Sequence, residues 1–229
     1  MINGHYGGKL DLTDYWAVGD IRSCTLNDIG STNVGETQPS QVIKLVIIGM
    51  NHDDLETPIN GINKAVLTVW TQSNLTNQGY MFSSQVKCSP DDTVGAWGKS
   101  NRRSWCNTSF KNALPSYLAN IIKPVKKSTC RMYYDGNNVE YYRYENTVDA
   151  VFLLSLTECS GSSYKNDGTQ YNYLKNSSNL SSSVEWWTRT VSHTGNYYAQ
   201  FFVRPERSYG LLWFTICTEN KGLRPAFCL

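Results

Sequence analysis

The three histidines, His5, His52 and His193, lie far apart in the sequence, and none belongs to an H-x-H or H-E-x-x-H motif. Those spacings place two imidazoles on one face of a strand or helix, where both can bind one metal ion. No G-x-S-x-G nucleophile elbow and no cysteine-protease signature is present either. The sequence therefore predicts no catalytic residue and no metal site, and the histidines are interpreted as loop or surface residues.

Two acidic doublets, Asp53-Asp54 and Asp91-Asp92, come closest to a paired-carboxylate site. A calcium loop needs several oxygen ligands at set spacing and a glycine at its turn, and neither doublet has that pattern. Both doublets are interpreted as solvated loop charges. Walker A and G-x-G-x-x-G motifs are also absent from the sequence, so no nucleotide and no other cofactor is predicted.

The seven cysteines are all separated by more than three positions, which excludes C-x-x-C zinc or redox motifs. An odd number of cysteines without a secretory signal favours reduced thiols in a protein made in the cytoplasm. One disulfide in an exported protein remains the alternative.

The composition of the 229 residues limits the class of protein. Hydrophobic residues make up 40% and charged residues 17%, which is not the composition of a disordered chain. The formal net charge is only +2, so a nucleic-acid partner is not indicated. No apolar run approaches the roughly 20 residues that span a bilayer, and the N-terminus shows no signal peptide. We expect neither nucleic-acid binding nor membrane insertion.

β-Branched and aromatic runs predict the strands. The predicted strands are Ile21–Leu26, Gln41–Gly49, Ala65–Thr71, Ala150–Ser155 and the two arms of a hairpin between Cys130 and Asn146, with its turn at Asp135-Gly136-Asn137-Asn138.

Capping residues and prolines predict two helices in the first half of the chain. The first covers Asn101–Ala113 with Ser100 as its N-cap. The second covers Ser116–Ile122, after Pro115 and before Pro124. Residues 160–183 are predicted to be loop, or a short helix around Tyr171–Leu174. The expected class is α+β, with residues 1–13 as a flexible lead-in and residues 14–229 as a single domain.

An ordered set of motifs resembles one known group of domains. The motifs are DYWAVGD, LVIIGMNHD, WCNTSFKNALPSYLANIIKPV, DAVFLLS, WWTRT and GLRPAF. Together they resemble a bacterial and phage domain family of unknown function whose members end in W-W-x-R-S…G-V-R-P-A-F, over residues 14–227. Thr190 and Val191 stand where that family usually has Ser and Pro.

The ending is also similar to that of the variable proteins of diversity-generating retroelements. This resemblance implies a C-type-lectin-like fold of the formylglycine-generating-enzyme type, made of mixed short strands, with a variable region at about residues 188–221. It further implies that adenines in a template copy of this region are miscopied, so that codons of the type A-A-pyrimidine change at their first two bases. Because the third base stays a pyrimidine, the variable positions cannot become Trp, Met, Gln, Lys or Glu.

Twelve residues of allowed types in this region form the predicted ligand-binding surface, and tyrosine and arginine among them are frequent in binding hot spots. They are His193, Asn196, Tyr197, Tyr198, Arg204, Arg207, Tyr209, Leu212, Phe214, Ile216, Thr218 and Asn220. The alternative is that the polar members are ordinary solvated loop residues.

The strand predicted at Leu211–Thr218 has two faces. Even-numbered residues from Leu212 to Thr218 form the predicted binding face, whereas Trp213 marks the odd-numbered face as the core face. The alternative is that the apolar even-numbered residues are themselves core. Arg189 and Arg224 are predicted to hold loops through hydrogen bonds to backbone carbonyls. The hairpin Tyr133–Tyr144 is a second candidate surface, for binding or self-association; the alternative is an ordinary solvent-facing hairpin.

These expectations combine into one function hypothesis. It is a non-enzymatic receptor-binding protein or adhesin, on a phage tail or a bacterial surface, that binds a host-cell protein or glycan and can form a homo-oligomer. The first alternative is a structural virion or surface module without a diversified site. The second is an enzyme of the formylglycine-generating type, with Cys217 and Cys228 as its cysteine pair.

Overall fold

The structure is a computed structural model, and it describes residues 2–8, 11–31, 37–86, 95–134, 140–161, 167–191 and 215–229. Over these residues the chain is mixed α+β, with two antiparallel sheets and short helices. The strands are β1 (Ile21–Leu26), β2 (Gln41–Met50), β3 (Asp54–Ile59), β4 (Ile62–Lys64), β5 (Leu67–Thr71), β6 (Val125–Tyr134), β7 (Glu140–Asp149), β8 (Val151–Phe152) and β9 (Ala226–Cys228). The helices are α1 (Ile2–Tyr6), α2 (Asn101–Trp105), α3 (Lys111–Ala113), α4 (Ser116–Ala119) and α5 (Leu156–Ser160), and one π-helical turn (Cys106–Phe110) joins α2 to α3.

The first sheet has the strand order β1-β2-β5-β9-β8. Its central strand β5 is buried along its whole length, which matches the apolar sequence LTVWT. The C-terminal strand β9 pairs with both β5 and β8, so the end of the chain lies inside the sheet rather than at its edge. The predictions for β1, β2 and β5 are confirmed within two residues. The strand predicted at Ala150–Ser155 is shorter, because Ser155 leaves the sheet to cap α5.

The second sheet has the order β4-β3-β6-β7. The predicted hairpin forms its longest pair, in which β6 and β7 align from Val125 opposite Asp149 to Tyr134 opposite Glu140. The turn predicted at Asp135–Asn138 lies outside the described residues. Strands β3 and β4 were not predicted, although Asn60-Gly61 between them has φ values of 50° and 81° and is a strong hairpin-turn signal.

The predicted first helix is confirmed from Asn101 to Ala113, with the π-helical turn inside it. The Ser100 side chain accepts a hydrogen bond of 3.0 Å from the Arg103 backbone nitrogen, which is the predicted cap. The second helix begins at Ser116 as predicted but ends at Ala119. The short helix expected near Tyr171 is a 3₁₀-helix at Asn172–Lys175.

Residues 2–8 and 11–13, which belong to the segment expected to be a flexible lead-in, include side chains that pack on the core. They form α1 and a 3₁₀-helix, Leu12–Asp14. The Tyr6 ring is buried and its hydroxyl donates a hydrogen bond of 3.1 Å to the carbonyl of Leu229. Because Tyr6 and Leu12 bury apolar surface, they offset the entropy lost when the segment is ordered. Within the described ranges, no helix has the length and apolarity needed to cross a membrane.

Candidate ligand-binding surface

Nine of the twelve predicted binding residues lie outside the described residues, in the segment 192–214. They are His193, Asn196, Tyr197, Tyr198, Arg204, Arg207, Tyr209, Leu212 and Phe214. The other three follow this segment directly: Ile216 and Thr218 are half-buried, and Asn220 is exposed.

The strand predicted at Leu211–Thr218 does not continue to Thr218. Residues 217 and 218 form a turn, in which the Glu219 backbone nitrogen donates to the Ile216 carbonyl at 3.1 Å. Cys217 is buried, and its carbonyl accepts hydrogen bonds from the backbone nitrogens of Met81 and Phe82. These two bonds fix the backbone at Cys217, three residues after the segment 192–214.

The other end of that segment is fixed at residues 186–191. The Trp187 backbone nitrogen donates to the Gly222 carbonyl at 3.0 Å, and the Val191 backbone nitrogen donates to the Cys130 carbonyl at 3.0 Å. Both indole rings of the Trp186-Trp187 pair are fully buried. Backbone bonds and buried aromatic area therefore hold the chain up to Val191.

We call residues 186–191 and the loop at Arg224 the two anchors of the segment 192–214. Arg189 is the central side chain of the first anchor, and it binds backbone carbonyls as predicted. Its guanidinium donates to the carbonyls of Leu153, Ser128 and Asp167 at 2.9–3.2 Å. It also forms a two-point ion pair with Glu158, at 2.5 and 2.9 Å. Burial alone would lower the pKa of Arg189, but Glu158, together with Asp167 and Tyr171, raises it above the usual value, so the guanidinium stays charged inside the protein.

Arg224 is the central side chain of the second anchor, on the C-terminal side of the segment 192–214, and it also binds backbone carbonyls as predicted. Its Nε donates to the Thr71 carbonyl at 3.2 Å and its Nη2 donates to the Gln72 carbonyl. The guanidinium stacks on the Trp70 ring. Arg224 thereby ties the loop before β9 to the end of β5.

The hairpin of β6 and β7 lies beside Val191, the last described residue before the segment 192–214. Arg131 on β6 forms a parallel bridge with Val191. Tyr144, which pairs with Cys130 across the hairpin, exposes 46% of its surface. The second candidate surface therefore has an exposed tyrosine on the same hairpin that forms the bridge with Val191.

Asp53 was interpreted as a solvated loop charge, and this interpretation is wrong. The residue is buried, and its carboxylate forms an ion pair with Lys127 at 2.5 Å. Lys127 also pairs with Glu158 at 3.0 Å, so that Asp53, Lys127, Glu158 and Arg189 form one buried network. A charge in the core needs such partners, and the partner of Asp53 lies 74 positions away in the chain.

Electrostatics inside the network favour the charged forms. Burial would raise the pKa of Asp53, but Lys127, together with Thr68 and His52, lowers it below the usual value. Burial would likewise raise the pKa of Glu158, and Arg189 lowers it. For Lys127, burial lowers the pKa and the two carboxylates raise it above the usual value. The network is therefore two negative and two positive charges that balance.

The cysteines that the structure describes are buried and form no disulfide with one another; they are Cys24, Cys106, Cys130, Cys159, Cys217 and Cys228. Cys217 and Cys228, the pair considered for an enzyme, contact different groups. Cys217 approaches the Ser84 carbonyl, while Cys228 contacts Thr68 and Asp53. Burial raises the pKa of both thiols, which disfavours the thiolate. No group of three metal-binding side chains occurs in the part of the chain that the structure describes.

An apolar cavity of about 230 Å³ lies between the first sheet and α4. Its walls include Leu45, Val69 and Leu118. The two charged residues that line it already have partners, since Arg22 stacks on Trp16 at 4.7 Å and Asp20 accepts from the Ala17 backbone nitrogen. A specific ligand site needs polar groups free to orient the ligand, so the cavity is a poorer candidate than the C-terminal surface.

A family model described as a domain of unknown function (DUF6273) matches residues 57–229. No curated protein and no solved structure matches the chain. The matched range contains both anchors, the hairpin and the whole segment between the anchors.

Proposed function

The chain belongs to the family described as a domain of unknown function (DUF6273), and from that premise we propose that it is a non-enzymatic protein that binds a partner through its C-terminal segment. The binding surface consists of side chains in residues 192–214 together with Ile216, Thr218 and Asn220. The exposed side of the hairpin at Tyr144 extends this surface.

The observation that carries the proposal is the fixation of both ends of the segment 192–214. Val191 and Cys217 are held by backbone hydrogen bonds to β6 and to residues 81–82. Buried Arg189 and Arg224 stabilise the flanking loops through carbonyls that belong to the core elements. Because these contacts involve no side chain of residues 192–214, that segment can change its side chains while the scaffold stays folded.

The residue types in the segment fit recognition. Tyr197, Tyr198 and Tyr209 offer large, stiff and amphipathic contact area, and Arg204 and Arg207 offer planar hydrogen-bond donors. Such residues bind proteins and glycans alike. We propose a host-cell surface protein or glycan as the partner, and a phage tail or bacterial surface as the location.

The finer parts of the proposal come from the resemblance in the C-terminal motifs. They are a C-type-lectin-like scaffold and diversification of the segment by a retroelement. A near-identical copy of the region encoding residues 188–221, beside a reverse-transcriptase gene and differing at adenines, is the genomic observation that tests them. Without such a copy, the structural module without a diversified site becomes the better account.

The enzyme alternative has less support. An enzyme of the formylglycine-generating type needs two reactive cysteines in one pocket. Cys217 and Cys228 are both buried, have separate partners and have raised pKa values. A buried thiol of raised pKa is a poor nucleophile and a poor metal ligand at neutral pH.

The experiment compares two variants of the full chain. Tyr197→Ala combined with Tyr198→Ala changes the proposed surface, while Tyr117→Ala changes a tyrosine on α4 that is 67% exposed and lies outside it. Fluorescently labelled proteins are applied to a glycan array and to intact bacterial cells. We expect the unaltered chain and Tyr117→Ala to bind, and the double variant to lose binding while its melting temperature changes by less than about 2 °C.

Two outcomes contradict the proposal. Undiminished binding by the double variant would locate the binding surface elsewhere. A large loss of melting temperature in the double variant would assign the tyrosines to the core instead of the surface.

A further inference from the structure

The buried network brings an amine and a carboxyl group into close contact away from bulk solvent. Lys127 Nζ lies 2.5 Å from Asp53 Oδ1, and the two side chains expose 2% and 5% of their surfaces. Exposed lysine–aspartate pairs remain ions because water solvates both charges. In this pair the solvating water has been replaced by a few fixed protein groups.

The second oxygen of Asp53, Oδ2, faces three side-chain donors. The Thr68 hydroxyl and the Cys228 thiol donate to Oδ2, the thiol at 3.4 Å, and the Tyr171 hydroxyl lies 3.0 Å from both Oδ2 and Oδ1. Donors that converge on one oxygen stabilise negative charge that develops there when a nucleophile attacks the carbonyl carbon. The amine donates to Oδ1, whereas Thr68 and Cys228 donate to Oδ2, so the two oxygens of Asp53 have different environments.

A second carboxylate lies on the other side of the amine. Glu158 Oε1 is 3.0 Å from Lys127 Nζ, within the range for proton transfer by a general base. Arg189 and Lys127 lower the pKa of Glu158, so its carboxylate is available to accept a proton at neutral pH. The Ser155 backbone nitrogen and Arg189 hold it in place.

Aromatic rings complete the walls around the amine. Lys127 Nζ lies 3.7 Å from the centroid of the Phe152 ring and 5.6 Å from that of Tyr171. Both rings are fully buried. Such a setting excludes bulk water, which both removes the competing solvation of the reactants and protects an amide product from hydrolysis.

We propose that Lys127 and Asp53 condense to an intramolecular isopeptide bond in the folded protein. One proton moves from Nζ to Oδ1 along their 2.5 Å contact, which gives a neutral amine and a neutral carboxyl group. Nζ then attacks Cγ, and the resulting oxyanion on Oδ2 is stabilised by its three donors. Glu158 takes one proton from Nζ and delivers it to Oδ1; the Cγ–Oδ1 bond breaks, and one water molecule leaves. The reaction needs no oxidant and no cofactor.

The charged state of Lys127 and Asp53 slows this reaction, because only the neutral pair can react. The ion pair is the predominant form before reaction, because Lys127 and Asp53 each favour the charged state of the other. The neutral pair is a minor form that the short contact continually samples. Fixed proximity compensates, since well-oriented intramolecular reactions reach effective concentrations of about 10⁵–10⁸ M.

The bond would tie the connection between β2 and β3 to strand β6 of the second sheet. Asp53 lies directly before β3, where its carboxylate meets Thr68 of the first sheet, and Lys127 lies on β6 of the second sheet. The described cysteines form no disulfide, so this amide would be a covalent link between these distant parts of the chain.

Intact-protein mass spectrometry tests the proposal directly. The full chain is purified in its folded form, its circular dichroism is recorded, and its mass is measured after denaturation. We expect a mass lower than that of the sequence by one water, about 18 Da. Digestion should then yield a branched peptide that contains both Lys127 and Asp53.

The chain contains its own control pair. Lys64 and Asp54 are 2.8 Å apart, but their side chains expose 44% and 60% of their surfaces. Both should appear in unlinked peptides, and Lys64→Ala should keep the loss of about 18 Da. Lys127→Met and Asp53→Ala should each restore the full mass. Glu158→Gln keeps both reactants, and its linked fraction should be lower than that of the unaltered chain.

A folded, unaltered chain with the full mass of its sequence, and with Lys127 and Asp53 in separate unlinked peptides, would overturn the proposal. A lost water mapped to a different pair of residues would overturn it equally. Neither outcome affects the binding function proposed above, because that function depends on the anchored scaffold and not on how it is covalently linked.

Discussion

Arg224 and Trp70 hold each other by two separate contacts. The guanidinium of Arg224 lies 3.5 Å from the centroid of the Trp70 ring, and Trp70 Nε1 donates a hydrogen bond of 2.9 Å to the Arg224 backbone carbonyl. Trp186 lies on the same guanidinium at 5.2 Å. The motifs WWTRT and GLRPAF, distant in sequence, therefore meet at one buried arginine that stacks on the central strand β5.

This arrangement predicts that Arg224→Lys is strongly destabilising. A lysine ammonium has no planar group to stack on Trp70 and cannot donate to the Thr71 and Gln72 carbonyls in the same geometry. We expect a loss of about 2–3 kcal/mol in the free energy of unfolding, measured by urea denaturation.

The same substitution at Arg22 is the control. Arg22 also lies over an indole ring, that of Trp16 at 4.7 Å, but it is exposed to solvent. Arg22→Lys should change the free energy of unfolding by less than about 0.5 kcal/mol. Equal losses for the two variants would show that burial of Arg224 is not the reason for its effect.

Gly222, the first residue of the GLRPAF motif, is predicted to tolerate no side chain. A Cβ at this position would overlap the Asn74 amide group, which is itself held by hydrogen bonds to Ser182 and Val184. Gly222→Ala should therefore cost about 1–3 kcal/mol by overpacking. Gly30→Ala is the matched control, because a Cβ at Gly30 would have no atom within 4 Å. If both variants unfold at the same urea concentration, the steric explanation is wrong.

Local patterns were sufficient to predict much of the fold. The strand Ile21–Leu26, the N-cap at Ser100 and the arms of the Tyr-rich hairpin follow from side-chain type and short-range spacing, and the structure confirms them. Strand β3 was missed because only Leu55 of its six residues is buried, so its sequence has no apolar pattern.

The buried network could not be predicted, because its members interact only in the folded chain. Asp53 stands in a polar sequence, Asn-His-Asp-Asp, and nothing nearby indicates burial. Its partners Lys127 and Glu158 lie on other elements, and a lysine in a strand is ordinarily a solvent-facing residue. Arg189 was recognised as structural from its motif, but its pairing with Glu158 is a long-range contact that a single sequence does not reveal.

The lowered pKa of Glu158 predicts how stability depends on pH. In the folded protein Glu158 binds a proton more weakly than its usual pKa of 4.5 implies, because Arg189 and Lys127 favour the carboxylate. Its contribution to stability is therefore complete above pH 4.5 and is lost as the pH falls below that value. Between pH 5 and about pH 3, the unaltered chain should lose stability more steeply than Glu158→Gln.

Urea unfolding at several pH values measures these slopes. Glu219→Gln is the control, since Glu219 pairs with Lys221 at 3.0 Å but is 44% exposed, and solvent screens the pair. Its slope should stay close to that of the unaltered chain. A Glu158→Gln slope as steep as that of the unaltered chain would mean that the network does not hold the carboxylate charged.

The described cysteines are predicted to be unreactive in the folded protein. Burial raises the pKa of Cys106 to about 12, and burial also raises the pKa values of Cys159 and Cys228. Thiolates are the reactive form, and six of the seven cysteines are described as buried. With a thiol reagent at pH 8, at most one thiol per chain should react before denaturant is added, and all seven should react afterwards. Rapid labelling of Cys217 and Cys228 in the folded chain, located by peptide mapping, would contradict their burial and would favour the enzyme alternative over the binding function.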